Sequence, residues 1–510
     1  MSSATRESSA ESGPTRALPR WYLTLFSTDA LERFGFFGMQ AILVLYASAP
    51  RSEGGLGLPI GESAALFGAW IGLMFMLSHP GGWVGDRVLG QRPTLVLSSF
   101  LGMTAYLLLA VPAGWSTAVG LSILAISGGL FKPNHQGMIN LMYPDARRRE
   151  SGISLMYVGI QVSALLAPLV TGYLGERVNW GLGFSVAALS MFLCGLQIAL
   201  SGRQFGGVGA GPSRPLDQQE RTRALRIVLS LAGTITALLL GLWASGLLSL
   251  MVVIAIAGIS AVIAPIFGYT LLYRNKELGG GDRRRLRAFL GVFLGATLFW
   301  MMNAHASSLL NLFARDHTDR VILGWEIPAS WLQSATPMFI LVLAPVIAMS
   351  MPRIGGKNNL AVKFSIGLVL MGGSFLLMSV ATTLAADGTL VSPMWLLIVY
   401  LAHACGEVVV AAVTIAAAAD VLPRQYTSRV LGLLWLFAGM GGGLGSGVVQ
   451  LATVMPEPLY YLMLGSVATS VGLFFALRRR ALTRALGPDG PDESGPGRVE
   501  EPPAPIASAP

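Results

Sequence analysis

Residues 22–49 read YLTLFSTDALERFGFFGMQAILVLYASA. The run is long enough to cross about 30 Å of hydrocarbon, for which roughly 20 apolar residues suffice, yet it carries Asp29, Glu32 and Arg33. A charge at bilayer depth costs a few kcal/mol or more unless it is paired or faces water. On a helix, Asp29, Glu32/Arg33, Phe36/Phe37 and Gln40 recur at intervals of three to four residues and share one face. That face must look into a cavity rather than into lipid. Two other charges lie as deep in apolar sequence, Lys132 and Glu407.

Outward from this stretch the composition sets the class. Of 510 residues, 53% are hydrophobic and 12% charged, with a mean hydropathy of +0.62, which describes an all-α polytopic membrane protein. Runs of sufficient length predict fourteen spans, with cores near 22–49, 62–84, 93–112, 115–141, 151–175, 180–201, 226–245, 247–272, 288–314, 330–351, 361–385, 393–419, 430–452 and 458–477. An even count puts both termini on one side. Of 35 Lys and Arg, 29 fall in the termini and in the loops after spans 2, 4, 6, 8, 10 and 12, including Arg147–Arg149 and Arg283–Arg285. Arg51, Arg177, Arg315 and Arg320 fall on the opposite face. The positive-inside rule then places both termini in the cytoplasm. The net charge of +9 is an orientation signal and calls for no nucleic acid. The first twenty residues are polar and the first span is long and charged, so no cleavable signal peptide is expected. Four lysines against 31 arginines suggest a GC-rich bacterial genome and hence the cytoplasmic (inner) membrane.

The organisation is six, two, six. Residues 21–202 form one six-span block after a disordered cytoplasmic N-terminus (1–20). A Gly-, Arg-, Gln- and Pro-rich linker (203–225) leads to two spans without internal charge (226–273). A second basic linker (274–287) precedes the last six spans (288–480), and residues 481–510, rich in Pro, Gly and acids, read as a disordered tail. The uncharged middle pair reads as peripheral and structural. Cys194 and Cys405 sit in apolar runs without metal-type spacing and read as buried small hydrophobes. The glycines from Gly439 to Gly447 have no Lys-Ser/Thr after them and no strand before them, so they serve close helix packing rather than a nucleotide. No nucleophile, base and orienting group converge, so no enzyme, metal or resident cofactor is expected.

Motifs refine this. Two six-span blocks joined by a linker match the two-bundle architecture of the major facilitator fold. The loop after span 2, Gly81–Arg92 with Asp86-Arg87, resembles that superfamily's signature loop, which implies a cytoplasmic charge lock; Pro352–Lys357 after span 10 is a faint echo. Asp29–Met39 resembles the signature of the proton-dependent oligopeptide transporter family, and Gly128-Gly129-Leu130-Phe131-Lys132-Pro133-Asn134 carries its second mark. Further likeness runs through Tyr157–Gln161, Ala167–Leu169, Phe299-Trp300, Asn311–Ala314, Ile327–Trp331, Gly406-Glu407 and Leu422-Pro423. Bacterial members of that family commonly have fourteen spans.

The resemblance implies proton-coupled symport of di- or tripeptides, or related small zwitterions, by alternating access, with protons as the coupling ion and a monomer in the bilayer. It assigns Asp29, Glu32 and Lys132 to proton coupling and Arg33, Lys132 and Glu407 to the substrate's charged ends. Glu32 and Asp29 are the nearest expected partners of Lys132. The departures concentrate in the cavity: Asp29 replaces Glu, Phe36-Phe37 replace a tyrosine pair, Gln40 replaces an arginine, and Gln161 and Thr336 replace asparagines. Ala304-His305 stand where an acid and glutamine are frequent. Phe37, Gln40, Gln161 and Thr336 remain substrate-facing candidates. His305 is either a replacement proton acceptor or a hydrogen-bonded packing residue, and His403, on one stripe with Tyr400 and Glu407, divides the same way. The alternatives are an efflux or facilitative carrier for a different small solute, and a membrane sensor that does not transport.

Overall fold

The computed structural model describes residues 19–143, 146–350 and 360–486. Fourteen of its helices are long and apolar enough to cross a bilayer. They are, as spans 1 to 14, Arg20–Ser48, Ile60–Leu89, Gln91–Leu109, Gly114–Met142, Gly152–Val178, Trp180–Leu200, Gln218–Ala244, Leu250–Tyr273, Gly280–Asp316, Ala329–Ser350, Leu360–Ala385, Met394–Asp420, Thr427–Thr453 and Glu457–Leu477. Of the ends expected to be disordered, 1–18 and 487–510 lie outside the described residues, as does the loop at 352–357; at the start of the expected tail the chain is instead helical, over Arg479–Leu486.

Local chemistry sets several starts. Span 7 begins at Gln218, well before residue 226, because Asp217 and Glu220 form a capping box that satisfies orphan N–H groups reciprocally. The Asn179 side chain caps span 6, and prolines 19, 59 and 456 precede spans 1, 2 and 14, where a residue without an N–H costs nothing. Span 9 is broken. Its α-helix ends at Asn303, a 3₁₀ turn covers Ala304–Ser307, and Ser308 sits at φ −119°, ψ −102° before the helix resumes at Leu309.

The packing is that of the major facilitator fold, two six-helix bundles with an extra central pair. In the first bundle span 1 packs on spans 5 and 6, span 3 on 4 and 6, and span 2 on 4. The second bundle repeats each pairing in its own order: 9 on 13 and 14, 11 on 12 and 14, and 10 on 12. The bundles cross where span 2 meets 13 and span 5 meets 10, the reciprocal contacts that a pseudo-twofold axis requires. Span 8 lies along the seam of spans 2 and 13, and span 7 is exposed along its length, so the uncharged pair is peripheral.

Glycines set the closeness of that seam. A Cβ at Gly68 would stand 2.7 Å from the Gly442 carbonyl oxygen and 2.9 Å from the Ser446 nitrogen. One at Gly443 would stand 2.7 Å from the carbonyl oxygen of Gly258 in span 8. The glycine run is thus a packing surface between backbones. Gly68→Val, which forces backbones apart, is expected to lower the detergent-solubilised melting temperature by several degrees. Gly373→Ala, with nothing within 4 Å of its Cβ, is the control and should melt like the native chain.

Candidate functional site: an ionic cavity in the first bundle

The charged stripe of span 1 folds inward. Asp29 and Glu32 are 6% and 4% exposed, and the Arg33 guanidinium serves both, with Nε 3.3 Å from Glu32 Oε2 and 3.7 Å from Asp29 Oδ1. Asp29, Arg33 and Lys132 line one cavity of ≈ 150 Å³, with Gln136, Ile139, Ile153, Met156 and Tyr157 at the facing ends of spans 4 and 5. Those ends lie toward the face that carries the linker between spans 6 and 7, here the linker side.

Lys132 departs from expectation. No ion pair within 4.0 Å joins it to Asp29 or Glu32 among the described residues; its Nζ instead sits 4.7 Å and 4.8 Å from the ring centroids of Phe36 and Phe75. Arg33 already occupies both carboxylates, and two phenyl faces offer the ammonium a quadrupole worth ~1–2 kcal/mol in a desolvated setting. Phe75 in turn stacks on Trp435 of span 13, 5.9 Å between centroids and 2° from parallel, so this cation rests against the seam between the bundles. Phe37 meets Phe36 edge-on at 5.1 Å.

Across the bundles, Glu407 accepts a hydrogen bond from Asn303 Nδ2 at 3.1 Å. Tyr157 of span 5 is within electrostatic reach of Glu407, so these residues bring the two halves to one region. The Thr336 hydroxyl is buried without a hydrogen-bond partner among the described residues.

His305 lies elsewhere. Its Nδ1 is 3.0 Å from Met301 O and its Nε2 2.7 Å from Tyr460 Oη, inside the second bundle. Both nitrogens are satisfied, which is the packing alternative; the break after Asn303 turns it away from the cavity. His403 is fully buried with Nε2 3.0 Å from Ser374 Oγ, likewise within the bundle.

Gln40 also departs from a substrate-facing position. Its Nε2 donates to Ser307 Oγ at 2.6 Å and belongs to a seal across the bundles. Asn311 Nδ2 donates to Ala41 O, Arg315 Nη1 to Ser48 Oγ, both at 2.7 Å, and Gln450 Nε2 to Gly61 O at 2.8 Å. Glu176, at the end of span 5, accepts from the backbone N–H groups of Ala329 (2.7 Å) and Ser330 (3.0 Å) and from Ser330 Oγ. A carboxylate of one bundle thus caps a helix start of the other, where unsatisfied N–H groups and the dipole favour an anion. Arg177 pairs with Glu326 at 3.2 Å on a hairpin whose strands are Val321–Ile322 and Trp325–Glu326. Among the described residues, the hydrogen bonds between bundles lie in this hairpin-side half, so the molecule is closed there and its ionic cavity lies toward the linker side.

Among the described residues, the expected Asp86-Arg87 lock makes no pair with the second bundle. Arg87 pairs with Glu220 at the start of span 7, and Asp86 Oδ1 accepts from Gln91 Nε2 at 2.7 Å. The loop is engaged instead by the linker, through Arg87 with Glu220 and Ser213 Oγ with Asp86 O.

Sequence reasoning missed Asn303, Glu176, Phe75, Trp435 and His135. His135 carried a readable signal, since it lies one helical turn beyond Lys132 on the same face; Glu176 carried none, because its partners are backbone. Glu176→Ala leaves the Ala329 and Ser330 N–H groups unpaired and is expected to open the hairpin side. Labelling of Ser334→Cys by a membrane-impermeant maleimide added on that side should then speed up severalfold.

Residues 94–463 match the model of a family described as PTR2, the POT family. The chain is 29% identical over 496 residues to the uncharacterized transporter YclF of Bacillus subtilis (strain 168), covering 95% of this chain and 99% of that one. It is 29% identical over 481 residues to a di-/tripeptide transporter of Lactococcus lactis subsp. cremoris, covering 92% and 97%. It superposes with a TM-score of 0.88, at 31% identity and covering 92% and 97%, on the crystal structure of a peptide transporter POT in complex with sulfate.

Proposed function

The chain belongs to the POT family, and from that premise we propose that it is a secondary active transporter coupling inward proton flow to uptake of di- and tripeptides or related small zwitterions by alternating access. The observation that carries the reading is the sharing of one cavity by Asp29, Arg33 and Lys132, with Glu407 presented from the other bundle. We place the linker side in the cytoplasm, which makes the described state inward-facing.

Charge counting gives the coupling. Asp29 and Glu32 balance Arg33 and Lys132, so the group is neutral with both acids ionised. One added proton leaves a net positive charge at depth, and a ligand carboxylate restores neutrality. Proton and ligand therefore enter together, each making the other's burial less costly. Glu407, held by a neutral amide, is free to receive the ligand's ammonium. Lys132 supports this by resting on two phenyl rings and making no ion pair among the described residues: a carboxylate draws it away without first breaking a salt bridge. Because Phe75 stacks on Trp435, that movement also touches the contact between the bundles.

The driving force suffices. One inward charge gains about 2.3 kcal/mol per 100 mV, and one pH unit about 1.36 kcal/mol, enough together for accumulation of up to roughly several hundredfold. In reconstituted vesicles with an imposed pH gradient, uptake of a labelled dipeptide should be inhibited by other dipeptides. Lys132→Ala should reduce gradient-driven uptake by ~tenfold or more, the loss of about 1.4 kcal/mol of coupling. Unchanged driven uptake in the variant would reject the role of Lys132, and competition by unrelated solutes but not by peptides would reject the substrate class.

A further inference from the structure

One buried titratable group in the cavity has no part in the scheme above. His135 is 5% exposed and lines the cavity with Asp29, Arg33 and Lys132. Its ring lies nearly parallel to that of Phe131, 8° apart with centroids at 5.6 Å, and its Nε2 is 2.9 Å from the backbone oxygen of Leu25 in span 1. A carbonyl oxygen only accepts, so Nε2 carries a hydrogen. In the neutral ring Nδ1 then presents a lone pair, and it faces Asp29 Oδ1 at 3.9 Å. Two acceptors turned toward each other in a buried setting are unfavourable, and a single proton on either converts them into an attractive N–H···O or O–H···N contact.

We infer that His135 and Asp29 hold one transferable proton between them, which makes His135 a further proton-coupling residue of this cavity. The inference rests on the transport reading above. The same Asp29 Oδ1 is also the oxygen that Asp29 presents to the Arg33 guanidinium, 3.7 Å from Nε, while Glu32 Oε2 stands at 3.3 Å. A proton taken up on Nδ1 draws Asp29 toward the imidazolium and loosens it from Arg33, whose fork then turns to a ligand carboxylate in the cavity. Release of the proton to the linker side restores the lone pair, and Asp29 returns to Arg33. No other ionisable group need change state. Those in the neighbourhood are Tyr22, Glu32 and Arg33 of span 1, Lys132 of span 4 itself, Tyr157 of span 5 and Cys194 of span 6, whose thiol donates to Thr28 O.

The test compares wild type with His135→Gln, which can still donate to Leu25 O but cannot hold a titrating proton, in vesicles loaded for either dipeptide counterflow or pH-gradient-driven uptake. The ratio of driven uptake to counterflow should fall by ~tenfold in the variant, one tenfold step being about 1.4 kcal/mol, and its dependence on external pH should flatten. A variant that keeps the wild-type ratio and pH profile overturns the inference. So does one that loses both activities in equal proportion with a lowered melting temperature, since His135 is then a packing residue. A second measurement needs no transport: the ring ¹⁵N resonances of His135 in the purified protein should move on Asp29→Asn, and unmoved resonances overturn the shared proton. A wild type that carries no dipeptide, with those resonances responding as expected, refutes the peptide reading and leaves the proton pair standing.

Discussion

Two carboxylates, a guanidinium and an ammonium cannot sit among apolar helices unless their charges sum to nothing or water reaches them. That constraint organises this protein. Arg33 bridges Asp29 and Glu32, which leaves Lys132 without a carboxylate and sends it to the faces of Phe36 and Phe75. The ring of Phe75 is part of the contact with the second bundle, so the way the charges are compensated is tied to the way the halves meet. An added proton upsets the balance, and the nearest remedies are an anion entering the cavity or a rearrangement of the helices that enclose it.

Much of this was legible in the sequence because depth and charge are one-dimensional properties. Fourteen apolar runs, the basic loops between them and five charges inside them can be read without knowing where any helix points, and the six, two, six rhythm follows from where those charges are missing. The closeness of spans 2 and 13 was also readable, since a run of glycines in a membrane helix has few uses apart from letting backbones approach.

What was not legible depended on azimuth and on breaks in the helix. Gln40 shares a face with Asp29 and Phe36, but one turn farther along it reaches Ser307 in the seal, because periodicity reports direction and says nothing of how far the cavity extends. His305 stays open in the sequence between a proton acceptor and a packing residue; the 3₁₀ turn at Ala304–Ser307 places its ring in the second bundle, against Tyr460. Opposite charges attract, which puts Lys132 beside the acids on sequence grounds, yet one guanidinium already pairs with both. Glu176 was invisible, since its partners are backbone N–H groups, and no residue pattern announces those.

The arginines that break the positive-inside pattern now have a shared explanation. Arg177 and Arg320 both pair with Glu326, and Arg315 reaches Ser48 from the second bundle. Arg177 and Arg315 are therefore fasteners between the bundles, Arg320 steadies the carboxylate that Arg177 meets, and these contacts are partly exposed to electrolyte. Partly exposed ion pairs are screened progressively as salt shortens the Debye length, which is about 10 Å at 0.1 M, whereas the phenyl rings around Lys132 are sheltered from dissolved ions. The resting balance between the two faces of this protein should consequently follow the salinity of the surroundings, with dilute media favouring the closed hairpin side and brackish media loosening it.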